Sequence, residues 1–312
     1  MKLKERKAGL KKKRIDTDSL QIYSLGVIPL VLVFIFNYLP LGGLVIAFKN
    51  YRYDKGILGS EWVGLDNFSM LIKSNDFFKI TRNTLCMNAV FIIVGTICAV
   101  LLAILLFDLK SRLSTKIYQT ILITPTFLSW VVAAYMAYAI LHPSYGFLNK
   151  ILEAMGIGKI DWYSKPNAWP VILTIANVWK NVGMDSVIYY AALMGLDAAL
   201  FEAAEVEGAK KYQVTWYITI PSLISLITIL TILKIGNIFR ADFGLFYQLT
   251  RNVGALYETT DVIDTYVFRT LRVLGDLGVS SAVGFLQSVV GFILVMLTNF
   301  AAKKIDPENA LF

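Results

Sequence analysis

The chain has 312 residues, of which 56% are apolar and only 17% charged. A soluble globular protein carries about 25% charged residues, so this composition excludes a disordered chain, a disulfide scaffold and an ordinary soluble enzyme, and makes lipid the expected solvent. The formal net charge is +8, and the positions of the cations decide what that balance means.

The first 14 residues hold eight Lys and Arg directly before an apolar stretch. That arrangement reads as a cytoplasmic anchor rather than a nucleic-acid arm. The apolar stretch is too long for a cleavable signal peptide, and no small-residue cleavage site follows it. A bilayer core of about 30 Å takes about 20 helical residues. Six stretches meet that length: 22–48, 84–107, 117–141, 168–194, 217–239 and 279–302. The fourth is the most polar. The expected fold is therefore an all-α polytopic membrane protein with six transmembrane helices, N- and C-termini cytoplasmic. The membrane domain covers 22–302, between a basic tail at 1–21 and a short tail at 303–312. With this orientation the inner segments carry 15 Lys and Arg in 62 residues, and the outer segments 13 in 100. The excess lies inside, as the positive-inside rule requires. The outer segments are long and rich in turn residues, with Gly56, Gly59 and Gly64 in the first. The third, 240–278, is expected to contain short helical or re-entrant pieces around Val253–Leu256 and Val262–Leu274.

Chemistry within the chain is sparse. Cys86 and Cys98 sit in apolar sequence without metal-ligand spacing. His142 is the only histidine, so histidine metal sites and triads lack a partner, and it reads as a polar residue at a helix end. No phosphate-cradling G-x-x-x-x-G-K-[ST] is present, and no H-E-x-x-H, G-x-S-x-G or G-x-G-x-x-G. The spans show neither a buried acid pair nor a nucleophile with a base. The chain is not expected to be an enzyme or to bind a cofactor or metal. Uphill movement driven by ATP would need a partner to hydrolyse it.

The inner loop 195–216 carries the most information. Asp197 is a suitable N-cap, Ala, Leu and Glu fill a short helix, and Gly208 supplies the stop. Leu196, Leu200, Ala203 and Val206 form an apolar row, flanked by Glu202 and Glu205. Such a row needs a cover, and the acidic face suits a partner protein better than an anionic lipid surface. Glu202-Ala203-Ala204, Gly208 six residues on, Ile218 ten after the glycine and Pro221 thirteen after it resemble the EAA loop. That loop marks the membrane subunits of bacterial binding-protein-dependent ABC importers. Ile220 departs from the usual Leu, a conservative change. Tyr38–Arg52, Gly59–Phe68, Thr259–Thr270 and Ala282–Ile305 resemble the sugar-importer branch, and within it the oligosaccharide and polysaccharide permeases.

The resemblance implies a type I ABC importer permease architecture. It implies two ATPase subunits that hold ATP and Mg, a second homologous permease in a heterodimer, and an extracytoplasmic solute-binding protein that delivers an oligosaccharide. Glu202, Ala203, Ala204, Glu205 and Gly208 would couple to the ATPase, supported by Ile218 and Pro221.

In span four, Thr174, Asn177, Asn181 and Asp185 fall on one helical face, with Lys180 beside them. A charge at the bilayer centre costs about 2.5–3.5 kcal/mol on the insertion scale, so this stripe should face water or protein. Two readings stay open: a lining for a hydroxyl-rich substrate, carried by Asn177, Lys180, Asn181, Asp185 and Tyr189, or interhelical hydrogen bonding. Trp179, Tyr189 and Tyr190 either stack on sugars or pack. Lys180 and Arg240 would suit an acidic sugar such as a uronate. Lys234 is expected to snorkel or to be paired. Ser280, Gly284, Ser288 and Gly291 give span six a small-residue packing face. The alternative function is an ion- or proton-driven secondary carrier, for which Asp185 is the one candidate acid.

Overall fold

The computed structural model describes residues 17–109 and 111–305. Most of the basic tail and the last seven residues lie outside these. Apart from turns and short irregular connections, the described residues are helical, with one two-residue pairing of strands, Lys49 opposite Trp62 and Asn50 opposite Glu61.

The first span is α1 (Thr17–Val33), continued by a π turn at Phe34–Tyr38 and a 3-10 run at Leu39–Phe48. Pro40 at the start of that run lacks the N–H an α-helix would need, which favours the change of winding there. After the strand pair comes α2 (Asp66–Lys73), then α3 (Asn75–Phe107). The latter begins nine residues before the expected start at 84, because Ser74 Oγ accepts from the Phe77 N–H at 3.3 Å and caps it. Its 33 residues make a rod of about 50 Å, longer than a bilayer core.

The third expected span is not one helix. It is α4 (Arg112–Ile123), a 3-10 turn at Thr124–Phe127 and α5 (Trp130–Leu141), bent by 99°. Pro125 cannot donate to the helix. Leu128 is extended, and Ser129 Oγ caps a new helix by accepting from the Val132 N–H at 3.3 Å. After α6 (Phe147–Ala154) the fourth span runs as α7 (Trp169–Met194), close to the expected 168–194. It turns by 73° into α8 (Ala198–Val206). The fifth span contains α9 (Ile220–Gly236), the third connection α10 (Ile263–Arg272), and the last span is α11 (Leu277–Ile305). Among the described residues four helices are long and apolar enough to cross a bilayer, and the two bent pairs raise that to as many as six.

Lipid tails are as apolar as leucine, so close backbone approach and hydrogen bonds must hold such helices together. Gly183 on α7 shows the approach: a Cβ there would lie 1.9 Å from the Leu122 carbonyl oxygen of α4. The largest apolar core joins Met87 and Phe91 of α3 to Trp169 and Leu173 of α7 and to Leu245 and Phe246 of the third connection. That connection has the broken character expected of it, with a π turn at Leu245–Leu249, a 3-10 turn at Gly254–Leu256 and a helical turn at Tyr257–Thr260. Asp261, its side chain wholly buried, holds Arg269 through two bonds of 3.1 and 2.6 Å. Arg269 also stacks on Tyr257 at 4.3 Å. His142 stands at the end of α5, where Nδ1 accepts from the Ser144 and Tyr145 N–H groups at 3.1 Å each.

Candidate substrate cavity and coupling loop

A cavity of about 560 Å³ opens between α3, α7, α9 and the residues that follow α9. Asn177, Asn181, Asp185 and Tyr189 of α7 line it, with Asn88 of α3, Lys234 of α9, and Asn237 and Arg240 beyond. The α7 residues line one wall because about 100° separates successive helical positions. Asn177, Asn181 and Asp185 thus span only about 80° of the helix surface. The Asn177 and Asn181 amides make no side-chain hydrogen bond among the described residues, so both donors and both acceptors face the cavity free. Lys234 Nζ and Asp185 Oδ2 form an ion pair of 2.6 Å across this space, each side chain about one-third exposed. Lys234 is therefore paired, one of its two expected states. Asn88 Nδ2 donates to the carbonyls of Ile238 and Arg240 at 2.7 and 3.0 Å, fixing the chain that carries Arg240.

Three expectations change. Lys180 does not line the cavity. It lies about 60° off the Asn177 edge of the stripe, on the side away from Asp185. Its buried ammonium donates instead to the carbonyls of Pro125 at 3.3 Å, Thr126 at 3.0 Å and Leu128. The break between α4 and α5 turns these carbonyls out of the helical ladder; that of Pro125 also accepts from the Leu128 N–H at 3.1 Å, and the cation gathers all three. Thr174 bonds back to the Pro170 carbonyl at 2.7 Å and is also outside the lining. Tyr189 borders the cavity, but it is only 1% exposed and packs with Leu193 and Leu223, so it offers no open ring face. Trp179 lines a separate apolar cavity of about 430 Å³ beside α5. Asn88 and Asn237 were legible as amides within apolar runs, but no periodicity linked them to span four.

The loop after α7 forms as its residues dictate. Asp197 Oδ1 accepts from the Ala199 N–H at 3.0 Å. Gly208, at φ +74°, closes α8. Its N–H reaches the Glu205 carbonyl at 3.0 Å, and the Ala209 N–H reaches the Ala204 carbonyl at 2.9 Å. Together these bonds make a Schellman motif. Leu196 falls before the helix, and Phe201 supplies the inward anchor, its ring centroid 5.3 Å from that of Phe107. Glu202, Ala203, Glu205 and Val206 remain exposed. Pro221 sits at the start of α9 behind a π turn at Thr215–Thr219. A proline frees the carbonyl four residues back and crowds it, and the wider turn accommodates both effects. Ala204, Gly208 and Ile218 meet at one hollow of about 410 Å³, completed by Gln213 and Tyr217.

Comparison with known proteins accords with this geometry. Residues 91–307 match the family described as binding-protein-dependent transport system inner membrane component. The chain is 35% identical over 275 residues to the polygalacturonan/rhamnogalacturonan transport system permease protein YteP of Bacillus subtilis, covering 88% of this chain and 85% of that one. It is 32% identical over 288 residues to Protein LplB of the same organism, covering 92% and 90%. A solved bacterial ABC transporter for import of the acidic polysaccharide alginate superposes with a TM-score of 0.84 at 30% identity, covering 93% of this chain and 97% of that one. The same kind of transporter, solved with an alginate pentasaccharide-bound periplasmic protein, superposes at 0.82 and 30% identity. The match spans well over half of the chain, and the fold agrees with it: this protein belongs to the inner-membrane components of binding-protein-dependent transport systems, a multi-pass permease of the ABC sugar-importer type.

Proposed function

We propose that the chain is one of two homologous permeases in an ATP-driven importer for acidic oligosaccharides. The observation that carries this reading is the continuity of cavity and loop. The wall of the cavity is α7, α7 turns directly into α8, and the chain returns through the hollow at Ala204, Gly208 and Ile218 into α9, the opposite wall. A push on α8 therefore acts on both walls.

In this reading the exposed Glu202, Ala203 and Glu205 seat against an ATPase subunit, while Gly208 and Pro221 keep the loop's shape. Two ATPase subunits hold ATP and Mg, and this chain does no covalent chemistry. Both termini and α8 lie in the cytoplasm. A solute-binding protein delivers the substrate from the other side, as the periplasmic partner of the alginate transporter suggests. The free amides of Asn177 and Asn181 suit hydroxyl groups. Lys234 and Arg240 outnumber Asp185 on the lining, which favours an anionic sugar. Asp185, the one candidate acid of the carrier reading, is ion-paired with Lys234 rather than alone.

The test is purification of the tagged chain from native membranes in mild detergent, followed by mass spectrometry. Co-purification of an ATPase subunit and a second permease in comparable amounts, with ATP-dependent uptake of an oligogalacturonate after reconstitution, is the expected result. Isolation of the chain alone, or uptake driven by a proton gradient without ATP, would sink the reading.

A further inference from the structure

We propose that Asp185 is an exchangeable counter-ion that occupies the substrate-carboxylate position on Lys234. A sugar carboxylate entering the cavity displaces Asp185 from the ammonium and so releases a tie between the two cavity walls. This deepens the import reading above and rests on it.

The geometry of the pair carries the inference. Both groups lie on the lining of the cavity and both remain about one-third exposed. The pair is thus reached by whatever fills that space. Neither member is held elsewhere among the described residues: Lys234 Nζ makes one of its three possible bonds, and Asp185 accepts through Oδ2 alone. By contrast, Asp261 is wholly buried, uses both oxygens, and is built to stay paired with Arg269. An ammonium that trades one carboxylate for another keeps its charge compensated throughout. A neutral sugar offers no such trade, and parting the pair would leave two uncompensated charges in a poorly solvated site. The cavity therefore filters for anionic sugar units. Arg240 lines the same space and makes no ion pair within 4 Å among the described residues, although its charge acts on the Asp264 carboxyl. It can take the carboxylate of the next sugar unit.

The pair also has mechanical leverage. Asp185 lies nine residues before the end of α7, and Lys234 is in the last turn of α9. These two helices lead into and out of the coupling loop. Val182, Leu193 and Leu223 form an apolar contact between the same helices, so loss of the ionic tie loosens the walls without separating them. Cargo of the right charge thereby changes the link between the helices that α8 moves.

The decisive readout is the sign of two single substitutions on direct binding. The full complex of both permeases and ATPases, in detergent and without binding protein, is titrated calorimetrically with oligogalacturonate. Asp185→Asn removes the competitor and is expected to tighten binding about tenfold, whereas Lys234→Gln removes the site and weakens it about tenfold. The double variant is expected to behave like Lys234→Gln alone. If both singles weaken binding, or neither moves it, the pair is a structural tie and the proposal is overturned. If Asp185→Asn fails to assemble, Asp185→Ser puts the same question to the same site. Absence of ATP-dependent uptake by the wild-type complex would instead remove the import reading, and the two failures are thus distinct.

Discussion

The ammonium of Lys180 lies 5.2 Å from the centre of the Trp130 indole, at the 99° break between α4 and α5. The same indole donates to Asp242 Oδ2 at 2.6 Å. One lysine thus joins the fourth span to the break in the third, and a tryptophan carries the contact on to the third connection. Lys180→Met removes the ammonium from three half-buried carbonyls, of which that of Pro125 keeps the Leu128 N–H. A loss of about 1–3 kcal/mol is expected, read as a lower melting temperature of the purified complex. The substrate preference should not change, because Lys180 is not on the cavity lining. A shift of preference between acidic and neutral sugars in this variant would contradict that placement.

Backbone approach sets the second prediction. A Cβ at Gly183 would lie 1.9 Å from the Leu122 carbonyl oxygen, and one at Gly244 would lie 2.4 Å from Trp130 Cδ1. At Gly284 nothing lies within 4 Å. Gly183→Ala and Gly244→Ala should each cost about 1–3 kcal/mol or more by forcing the neighbours apart. Gly284→Ala should be tolerated within this chain. Yields and melting temperatures of the three variants, side by side, check the ranking. Gly284→Ala would be as harmful as the others only if a second protein covers that face.

The coupling loop gives a third. Gly208→Pro cannot adopt φ +74° and removes the N–H that bonds to Glu205. Glu202→Lys reverses an exposed charge without touching the fold. Both variants should insert normally and copurify with less ATPase, and import should fall about tenfold or more. Wild-type import by Glu202→Lys would count against docking at α8.

The fourth concerns pH. Burial pushes the Asp264 carboxyl above its ordinary 3.8, although hydrogen bonds from the Ala241 N–H and the Gln287 amide oppose the shift. A raised pKa means that the folded state binds the proton more tightly than the unfolded one. Asp264 therefore contributes stability at low pH that is lost as pH rises through its folded pKa. Asp264→Asn lacks this loss, so the melting temperature of the variant relative to wild type should climb with pH from about 4 upward. A flat difference would show that the carboxyl is not perturbed.

The sequence made much of this legible for identifiable reasons. Span four, bounded by its apolar stretch at 168–194, was placed to within one residue at its start, and Pro170 at its head and Gly195 at its end account for those limits. The loop was readable in detail, since Asp197 and Gly208 act through their own backbone neighbours. Span three was misread as one helix, although Pro125 was visible, because the apolar residues on either side of Thr124–Phe127 keep the averaged hydropathy high and hydropathy does not register a bend. The polar stripe of span four pointed to one face, with Lys180 beside it, but counting Lys180 with the substrate lining gave too little weight to that offset on the wheel.

The sequence by itself determined the solvent, most of the helical elements and the shape of the loop at 195–216, because apolar runs, caps and stops are local properties of the chain. Only the tertiary structure decided which polar groups meet. Asp185 and Lys234 are 49 residues apart, and Asn88 reaches Ile238 and Arg240 across 150 and 152 positions. Charges in an apolar medium must find a partner somewhere, but which partner depends on helix rotation and crossing. Those are set by close contacts such as Gly183 on Leu122, which no periodicity in a single chain encodes.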